Sequence, residues 1–111
     1  GVRNMAAYCG SKFAAIGITQ SLAAEFAPRH IRVNAICPGI VGTAMWLEHL
    51  LPSNTLDQQD KQTNFEEAVS SMIPLKRAQS AEDMADAAFY LATARNVTGV
   101  ALTIAGGMEM N

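Results

Sequence analysis

The longest stretch of helical periodicity covers residues 8–27, which are rich in alanine and nearly free of charge. This helix should end at Pro28, because proline has no amide hydrogen and clashes with the preceding turn. At about 3.6 residues per turn, one stripe of the helix is expected to face a sheet. The stripe consists of Tyr8, Lys12, Ala15, Thr19, Leu22 and Phe26. A lysine in such a place is costly to bury unless another group satisfies its charge.

Two further helices are predicted, each starting at a capping box, in which Ser or Thr is followed three residues later by an amide or acidic residue. The boxes are Thr55 with Gln58 and Ser80 with Asp83. The predicted inner faces are Phe65, Val69, Met72 and Ile73 in the first of these helices, and Met84, Ala87, Ala88 and Leu91 in the second. Before them, Thr43 should cap a short helix that carries Met45, Trp46, Leu47 and Leu50 and ends at Pro52. We interpret residues 43–73 as an insertion that forms a lid.

Two short stretches alternate as strands do, IRVNAI at residues 31–36 and VALTIA at residues 100–105. A turn should follow each, at Cys37-Pro38-Gly39 and at Gly106-Gly107. Strands that alternate with helices predict an α/β fold. Because two strands alone leave edges and faces uncovered, we expect either a fragment of a larger α/β domain or a chain that borrows strands. The first residue is glycine rather than methionine, which favours a fragment.

Composition narrows the functional class. The net charge is -2 and the basic residues are scattered, so nucleic acid is not expected as a partner. No run approaches the roughly 20 apolar residues that span a bilayer, and no leader opens the chain, so we expect a cytoplasmic protein without a membrane partner. Cys9 and Cys37 are expected to be buried free thiols, and no metal-ligand spacing occurs.

Tyr8 and Lys12 lie in the first turns of the stripe that should face the sheet. In open α/β folds such a helix starts beside the carboxyl ends of the strands, where ligands bind, and the turn from Pro38 to Thr43 should reach the same edge. A tyrosine hydroxyl ionises near about pH 10 and is a poor acid or base at neutral pH, but a nearby ammonium group favours its ionised form. Tyr8 would then exchange a proton with a carbonyl or alcohol oxygen.

Each of these residues also has a purely structural interpretation. By spacing alone, Tyr8 and Lys12 are more often a surface pair at i and i+4. The expected burial of their stripe and the predicted turn at the same edge favour a functional pair. The other structural interpretations are a strand-ending turn for Pro38 and Gly39, an N-cap for Thr43, and core packing for Met45 and Trp46.

Three segments, in this order and at these separations, resemble the C-terminal half of the short-chain dehydrogenase/reductase family. They are YCGSK with its Y-x-x-x-K pattern, IRVNAICPGIVGTAMW and VTGVALTIAGG. The resemblance spans essentially the whole chain. It implies that residues 1–111 are the C-terminal portion of one doubly wound, Rossmann-type domain, with residues 43–73 as a substrate lid and the N-terminal nucleotide-binding half absent. It also implies reversible hydride transfer between NAD or NADP and a secondary alcohol or ketone.

The resemblance assigns a role to each matching residue. Tyr8 would be the general acid/base, Lys12 would assist it and hydrogen-bond the nicotinamide ribose, and both would contact the cofactor. The loop residues that would pass beneath the nicotinamide are Pro38, Gly39, Ile40 and Val41. Thr43 would bind the carboxamide of the nicotinamide or a phosphate, and the segment with Met45 and Trp46 would line the substrate pocket.

Some features of the family's enzymes do not occur in this chain. No G-x-x-x-G-x-G phosphate loop appears, and the family's serine would precede Tyr8 by more than the seven residues available, so Ser11 is not that serine. The helix asparagine of the family's proton relay is missing as well. We expect the chain alone to be inactive and its parent protein to be active.

Three functional hypotheses follow. The first is a dehydrogenase of a small ketone, diol or polyol, because ICPGIVGTAMW is similar to acetoin and polyol members of the family. The second is a carrier-linked 3-oxoacyl reductase, and the third is a non-catalytic oligomerisation or regulatory relative. Only Lys12 and Glu25 are charged within residues 8–27. A helix with so few charges needs cover on more than one side, which a homodimer, a homotetramer or burial within one complete domain would supply.

Overall fold

The structure, a computed structural model, describes residues 1–43 and 58–109. The elements in chain order are helix α1 (Ala6–Phe26), a 3-10 turn (Ala27–Arg29), strand β1 (Ala35–Pro38), helix α2 (Gln58–Met72), helix α3 (Ala81–Thr93) and strand β2 (Ala101–Ile104). The two strands pair in one sheet. The amide of Ala35 donates to the carbonyl of Val100 (2.8 Å), and the amide of Gly39 donates to that of Ile104 (2.9 Å). Both strands therefore advance in the same direction, which confirms the predicted α/β class with parallel strands.

The chain divides into two compact units. Unit 1 consists of Gly1–Ile36 and Phe89–Leu102, and unit 2 consists of Cys37–Ala88 and Thr103–Asn111. Strands β1 and β2 and helix α3 each contribute one end to each unit. That residues 1–111 belong to a single domain, with residues 43–73 as a lid, stays a prediction.

Helix α1 starts two residues before the predicted helix and ends one residue before it. Pro28 does not stop the helical course at once, because it lies in the first turn of the 3-10 segment. A proline is tolerated there, since the first amides of a helix have no intrahelical partner. The turn ends at His30, whose φ of 57° is left-handed.

Only the lower half of the predicted stripe on α1 is covered. Half-buried positions are Thr19, Leu22 and Phe26, and next to them Ala23 is buried. The exposed positions of the stripe are Tyr8, Lys12 and Ala15. A helix of 21 residues is about 31 Å long, whereas a strand of 4 residues spans about 13 Å, so the described strands are too short to cover it. The prediction that Tyr8 and Lys12 face a sheet is therefore wrong for the described residues.

Strand β1 starts four residues later than the sequence pattern predicts and runs on to Pro38. Ahead of it, the amide of Val33 donates to the Thr98 hydroxyl (3.1 Å), and the amide of Gly99 donates to the Val33 carbonyl (2.7 Å). Because β1 continues to Pro38, the turn predicted at residues 37–39 begins later. Since Ala35 donates to β2 and donors alternate along a strand, the Pro38 nitrogen lies on the opposite edge, where its missing hydrogen costs no bond to β2.

Unit 2 contains an apolar core. Its buried members are Ile40, Phe65, Val69 and Ile73, and Ala78 and Met108 pack against them. The predicted inner face of α2 is thus confirmed for three positions, whereas Met72 is exposed. The buried residues lie four positions apart, at 65, 69 and 73, and Met72 lies beside that row rather than on it. The predicted short helix and the box at Thr55 lie outside the described residues.

The capping box at the start of α3 is confirmed. The amide of Asp83 donates to the Ser80 hydroxyl (3.2 Å), and the amide of Ser80 donates to Oδ2 of Asp83 (2.8 Å). The inner face is confirmed at Leu91, which is buried, and at the half-buried Met84 and Ala87, whereas Ala88 is exposed.

After β2, which is one residue shorter at each end than predicted, the chain turns at two glycines. Gly106 and Gly107 have φ values of 60° and 87°, which confirms the predicted turn. Among the helices within residues 1–43 and 58–109, none is long and apolar enough to cross a bilayer.

Candidate active site

Tyr8 and Lys12 lie one helical turn apart in the first half of α1. The Lys12 Nζ atom is 5.3 Å from the centroid of the Tyr8 ring, within the range of a cation–π interaction. Helical spacing alone brings the two side chains together, because positions i and i+4 are neighbours on a helix surface. Tyr8 is 47% exposed and Lys12 is exposed, so both are accessible in unit 1.

The side chains of Cys9 and Ser11, close to Tyr8 in sequence, form hydrogen bonds with main-chain groups. The Ser11 hydroxyl donates to the Tyr8 carbonyl (2.7 Å), as serines within helices often do. The amide of Val2 donates to Sγ of Cys9 (3.4 Å). Cys9 and Cys37 are free, as predicted, but both are half-buried rather than buried, because the elements that carry them are only partly covered.

The loop 38–43 follows β1 and belongs to unit 2. Three main-chain hydrogen bonds define its path, from Gly39 N to Ile104 O (2.9 Å), from Gln79 N to Ile40 O (2.8 Å) and from Thr43 N to Val41 O (2.7 Å). The end of β2 and the segment before α3 therefore hold this loop.

Gly39 is required by packing inside unit 2. A side chain at this position would place its Cβ 2.7 Å from Oε1 of Gln79 and 2.8 Å from the Cα of Ala105, closer than real Cβ atoms come. The glycine is therefore explained by the lack of space between the loop and its own neighbours.

The accessible parts of the loop fit the cofactor role that the family resemblance implies. Pro38 and Thr43 are exposed, whereas the side chain of Ile40 is fully buried in the core, so Ile40 can meet a ligand only through its main chain. Met45 and Trp46 lie outside the described residues. The predicted proximity of the loop to Tyr8 and Lys12 stays a prediction.

An ion pair that the sequence did not reveal lies at the start of α3. Arg77 donates to both carboxylate oxygens of Asp83, at 2.7 and 2.9 Å. The hydrogen bond from Arg77, followed by the one from the Ser80 amide, holds the pKa of Asp83 well below its ordinary value, and Asp83 raises the pKa of Arg77. A carboxylate held in its ionised form does not donate protons near neutral pH, so this pair is structural.

Two further residues were missed in the sequence. Arg32 donates through Nη1 to the carbonyls of Leu91 and Ala94, and through Nη2 to that of Ala92 (2.6 Å), at the end of α3. Gln79 is a buried polar residue in the stretch between α2 and α3. No periodicity signals either contact, since the partners of Arg32 are about sixty residues away. In the stretches that the structure covers, no three His, Cys, Asp or Glu side chains are placed to hold a metal ion.

Comparisons with known proteins extend these observations. A family model described as enoyl-(acyl carrier protein) reductase matches residues 1–109. The L-2,3-butanediol dehydrogenase of Corynebacterium glutamicum is 39% identical over 109 residues, which cover 96% of this chain and 42% of that protein. The chain spans about two fifths of the length of the curated relatives that it matches.

Two solved structures share its fold. The ligand-free aldohexose dehydrogenase of Thermoplasma acidophilum superposes with a TM-score of 0.88 at 30% identity, over 97% of this chain and 42% of that one. An NAD+-bound xylitol dehydrogenase superposes with a TM-score of 0.79 at 33% identity, over 96% of this chain and 44% of that one. The matches extend over nearly the whole chain, and the chain therefore belongs to the short-chain dehydrogenase/reductase family, with its Rossmann-type α/β fold.

Proposed function

We propose that the whole protein is an NAD- or NADP-dependent oxidoreductase that interconverts a secondary alcohol and a ketone, with a small diol, polyol or ketone as substrate. The observation that carries the proposal is the Lys12 ammonium group 5.3 Å from the Tyr8 ring centroid on an accessible helix face. A tyrosine beside a cation is suited to exchange a proton with an oxygen atom. Relatives named for a diol and for a polyol support the substrate class.

In this proposal each residue has a defined role. Tyr8 gives a proton to the carbonyl oxygen during reduction and takes one from the hydroxyl during oxidation, while Lys12 assists Tyr8 and binds the cofactor. The residues that hold the nicotinamide end are Pro38, Gly39, Ile40, Val41 and Thr43. Bound there, the dinucleotide supplies or accepts the hydride.

Replacement of Tyr8 by phenylalanine tests the proposal. In the whole protein, wild type should oxidise NADH or NADPH with diketones or ketoses. Tyr8→Phe should lower kcat by about 10²–10⁴-fold, the usual contribution of a general acid/base, because phenylalanine has no proton to give. Cofactor affinity, followed by fluorescence titration, should change by less than about twofold. The matched control is Tyr90→Phe, which removes the hydroxyl of an exposed tyrosine on α3 and should leave turnover unchanged.

Retained turnover in Tyr8→Phe would refute the proton-transfer role. Lys12→Met should lower both the rate and the affinity for the dinucleotide, because the charge serves both. An unchanged pH profile in that variant would contradict its action on Tyr8.

The second candidate function is a carrier-linked 3-oxoacyl reductase. The matching family model is described as an enoyl-(acyl carrier protein) reductase, which supports a carrier-bound acyl substrate but not the reduction of a 3-oxo group. The same assay separates the two candidates when oxoacyl thioesters are added to the substrate panel. A kcat/KM for the thioesters well above that for diketones and ketoses would replace the first candidate with the second.

We further propose a homodimer or homotetramer in the cytoplasm. Phe13 and Ile18 on α1 are 65% and 59% exposed, and apolar side chains so placed gain from a second copy or from the rest of the domain. Free cysteines agree with a reducing compartment. Light scattering on the whole protein measures the oligomer, and a monomer at micromolar concentration would contradict this part of the proposal.

A further inference from the structure

Gln79 is the one buried polar side chain among the residues that the structure describes, with 6% of its surface exposed. Its Nε2 atom donates a long hydrogen bond to the Arg77 carbonyl (3.4 Å), and its Oε1 atom has no hydrogen-bond partner. A buried carbonyl without a partner destabilises a fold, so such a group calls for an explanation.

The explanation lies in two glycines on either side of the carboxamide. Oε1 is 2.7 Å from the position that a Cβ would take at Gly39, directly after β1. Nε2 is 3.1 Å from the position that a Cβ would take at Gly106, two residues after the end of β2. The carboxamide therefore fills the space that both glycines leave open.

The main chain of Gln79 holds the same loop. Its amide donates to the Ile40 carbonyl (2.8 Å), and Gln79 pairs with Val41 as an isolated parallel bridge. The Ile40 side chain is anchored in the core against α2. Gln79 thus reaches the loop at three successive residues, twice by its main chain and once by its side chain.

We propose that Gln79 is a positioning residue for the cofactor, acting through the loop 38–43 by setting the spacing between the ends of β1 and β2. The inference rests on the proposed function, which assigns the loop to the nicotinamide. The length of the side chain does this rather than its polarity, because Oε1 has no hydrogen-bond partner and Nε2 makes only the long bond to the Arg77 carbonyl (3.4 Å). An unbranched apolar side chain of similar length fills the same space.

Two substitutions separate length from polarity. Gln79→Met keeps the length and removes the amide, whereas Gln79→Asn keeps the amide and is one methylene shorter. Neither change removes a large volume, so both variants are expected to fold. A third variant, Leu91→Ala, is the stability control, because it removes a buried side chain from unit 1 without touching the loop.

The experiment is a fluorescence titration of the whole protein with NADH and with NADPH, together with steady-state kinetics. Gln79→Asn should raise the Kd of the preferred cofactor about five- to tenfold and its KM in parallel, with a smaller effect on kcat. Gln79→Met should keep the Kd within about twofold of wild type, as a shape-conserving rescue. Leu91→Ala should lower Tm and leave the Kd of the folded protein unchanged.

Wild-type affinity in Gln79→Asn would overturn the inference. So would weakened binding in Gln79→Met with normal binding in Gln79→Asn, since polarity would then be the cause. A wild-type protein that binds neither NADH nor NADPH would contradict the proposed function and the inference with it. If wild type and all variants bind the cofactor with the same affinity, only the proposed role of Gln79 is refuted.

Discussion

Unit 1 and unit 2 are each stabilised internally by a different kind of contact. In unit 1, polar side chains join distant parts of the chain: Arg32 reaches the last carbonyls of α3, and Asn34 bonds the Val97 carbonyl (2.9 Å) and the Val100 amide (3.1 Å). In unit 2, an apolar core around Ile40 and Ile73 joins the distant parts of the chain. Directional hydrogen bonds fix the ends of elements in unit 1, whereas in unit 2 apolar burial of Ile40 anchors a loop that main-chain hydrogen bonds also hold.

The difference separates the two halves of the proposed site. Tyr8 and Lys12 belong to unit 1, where helical spacing places them side by side without any tertiary contact. The loop 38–43 belongs to unit 2, where its path depends on Gln79 and on the core. The sequence therefore predicts the pairing of Tyr8 with Lys12, but it does not predict the path of the loop.

Helix α3 shows the same contrast within one element. At its start, in unit 2, the Ser80–Asp83 box satisfies free amides, and Arg77 holds the Asp83 carboxylate. At its end, in unit 1, the Arg32 guanidinium satisfies free carbonyls. Both arrangements agree with the helix dipole, which favours an anion at the start and a cation at the end.

The largest effect on stability is expected from the core of unit 2. In the whole protein, Ile73→Ala should lower the free energy of unfolding by about 2–5 kcal/mol, because it leaves a cavity beside the fully buried Ile40. The control is Leu75→Ala, two residues away and 71% exposed, which should cost less than about 1 kcal/mol. Urea unfolding measures both values, and similar losses in the two variants would show that this core does not hold unit 2.

The next largest loss of stability is expected when the Arg32 guanidinium in unit 1 is removed. Arg32→Met should lower the free energy of unfolding by about 1.5–3 kcal/mol, because charge-assisted hydrogen bonds to three carbonyls are lost. Arg32→Lys should recover only part of it, since an ammonium group cannot reproduce the fork of the guanidinium. The exposed Arg95, next to the same helix end, provides the control as Arg95→Met. An equal loss in that variant would argue for general charge rather than for these bonds.

A pair of glycines compares the packing of the units directly. Gly99 in unit 1 and Gly106 in unit 2 both have positive φ, at 75° and 60°. A Cβ at Gly99 would meet Ala23 at an ordinary 3.5 Å, whereas a Cβ at Gly106 would lie 2.6 Å from Cγ2 of Ile73. In thermal unfolding, Gly106→Ala should therefore be less stable than Gly99→Ala by about 1–3 kcal/mol. Equal costs would mean that backbone conformation alone decides both.

The smallest effect is the pH dependence of the cap in unit 2. Because the pKa of Asp83 in the folded protein lies below its ordinary value, its stabilisation is present above about pH 4 and is lost as the pH falls toward the folded value. Arg77 is largely exposed, so solvent screens the pair. The Tm of wild type should exceed that of Asp83→Asn at pH 7, and the gap should narrow below about pH 4. A gap that stays constant down to pH 2 would contradict the assignment.

Local signals predicted much of the fold. Capping chemistry located the start of α3, and helical periodicity located Phe65, Val69 and Ile73, because both depend on residues only three or four positions apart. The failures arose where burial depends on distant neighbours. The upper half of the α1 stripe is exposed. Strand β1 begins late, since the partners of residues 33 and 34 lie more than sixty residues further along the chain.

The order of residues by itself determined the neighbourhood of Tyr8 and Lys12 and the turn at Gly106 and Gly107, because both depend on short spacings. It also determined membership of the family, because the order and separation of three segments are properties of the sequence. Tertiary structure alone decided why Gly39 must be a glycine and why Gln79 is buried. Both follow from contacts between segments that are far apart in the chain, and the space left between such segments is set only once they have packed.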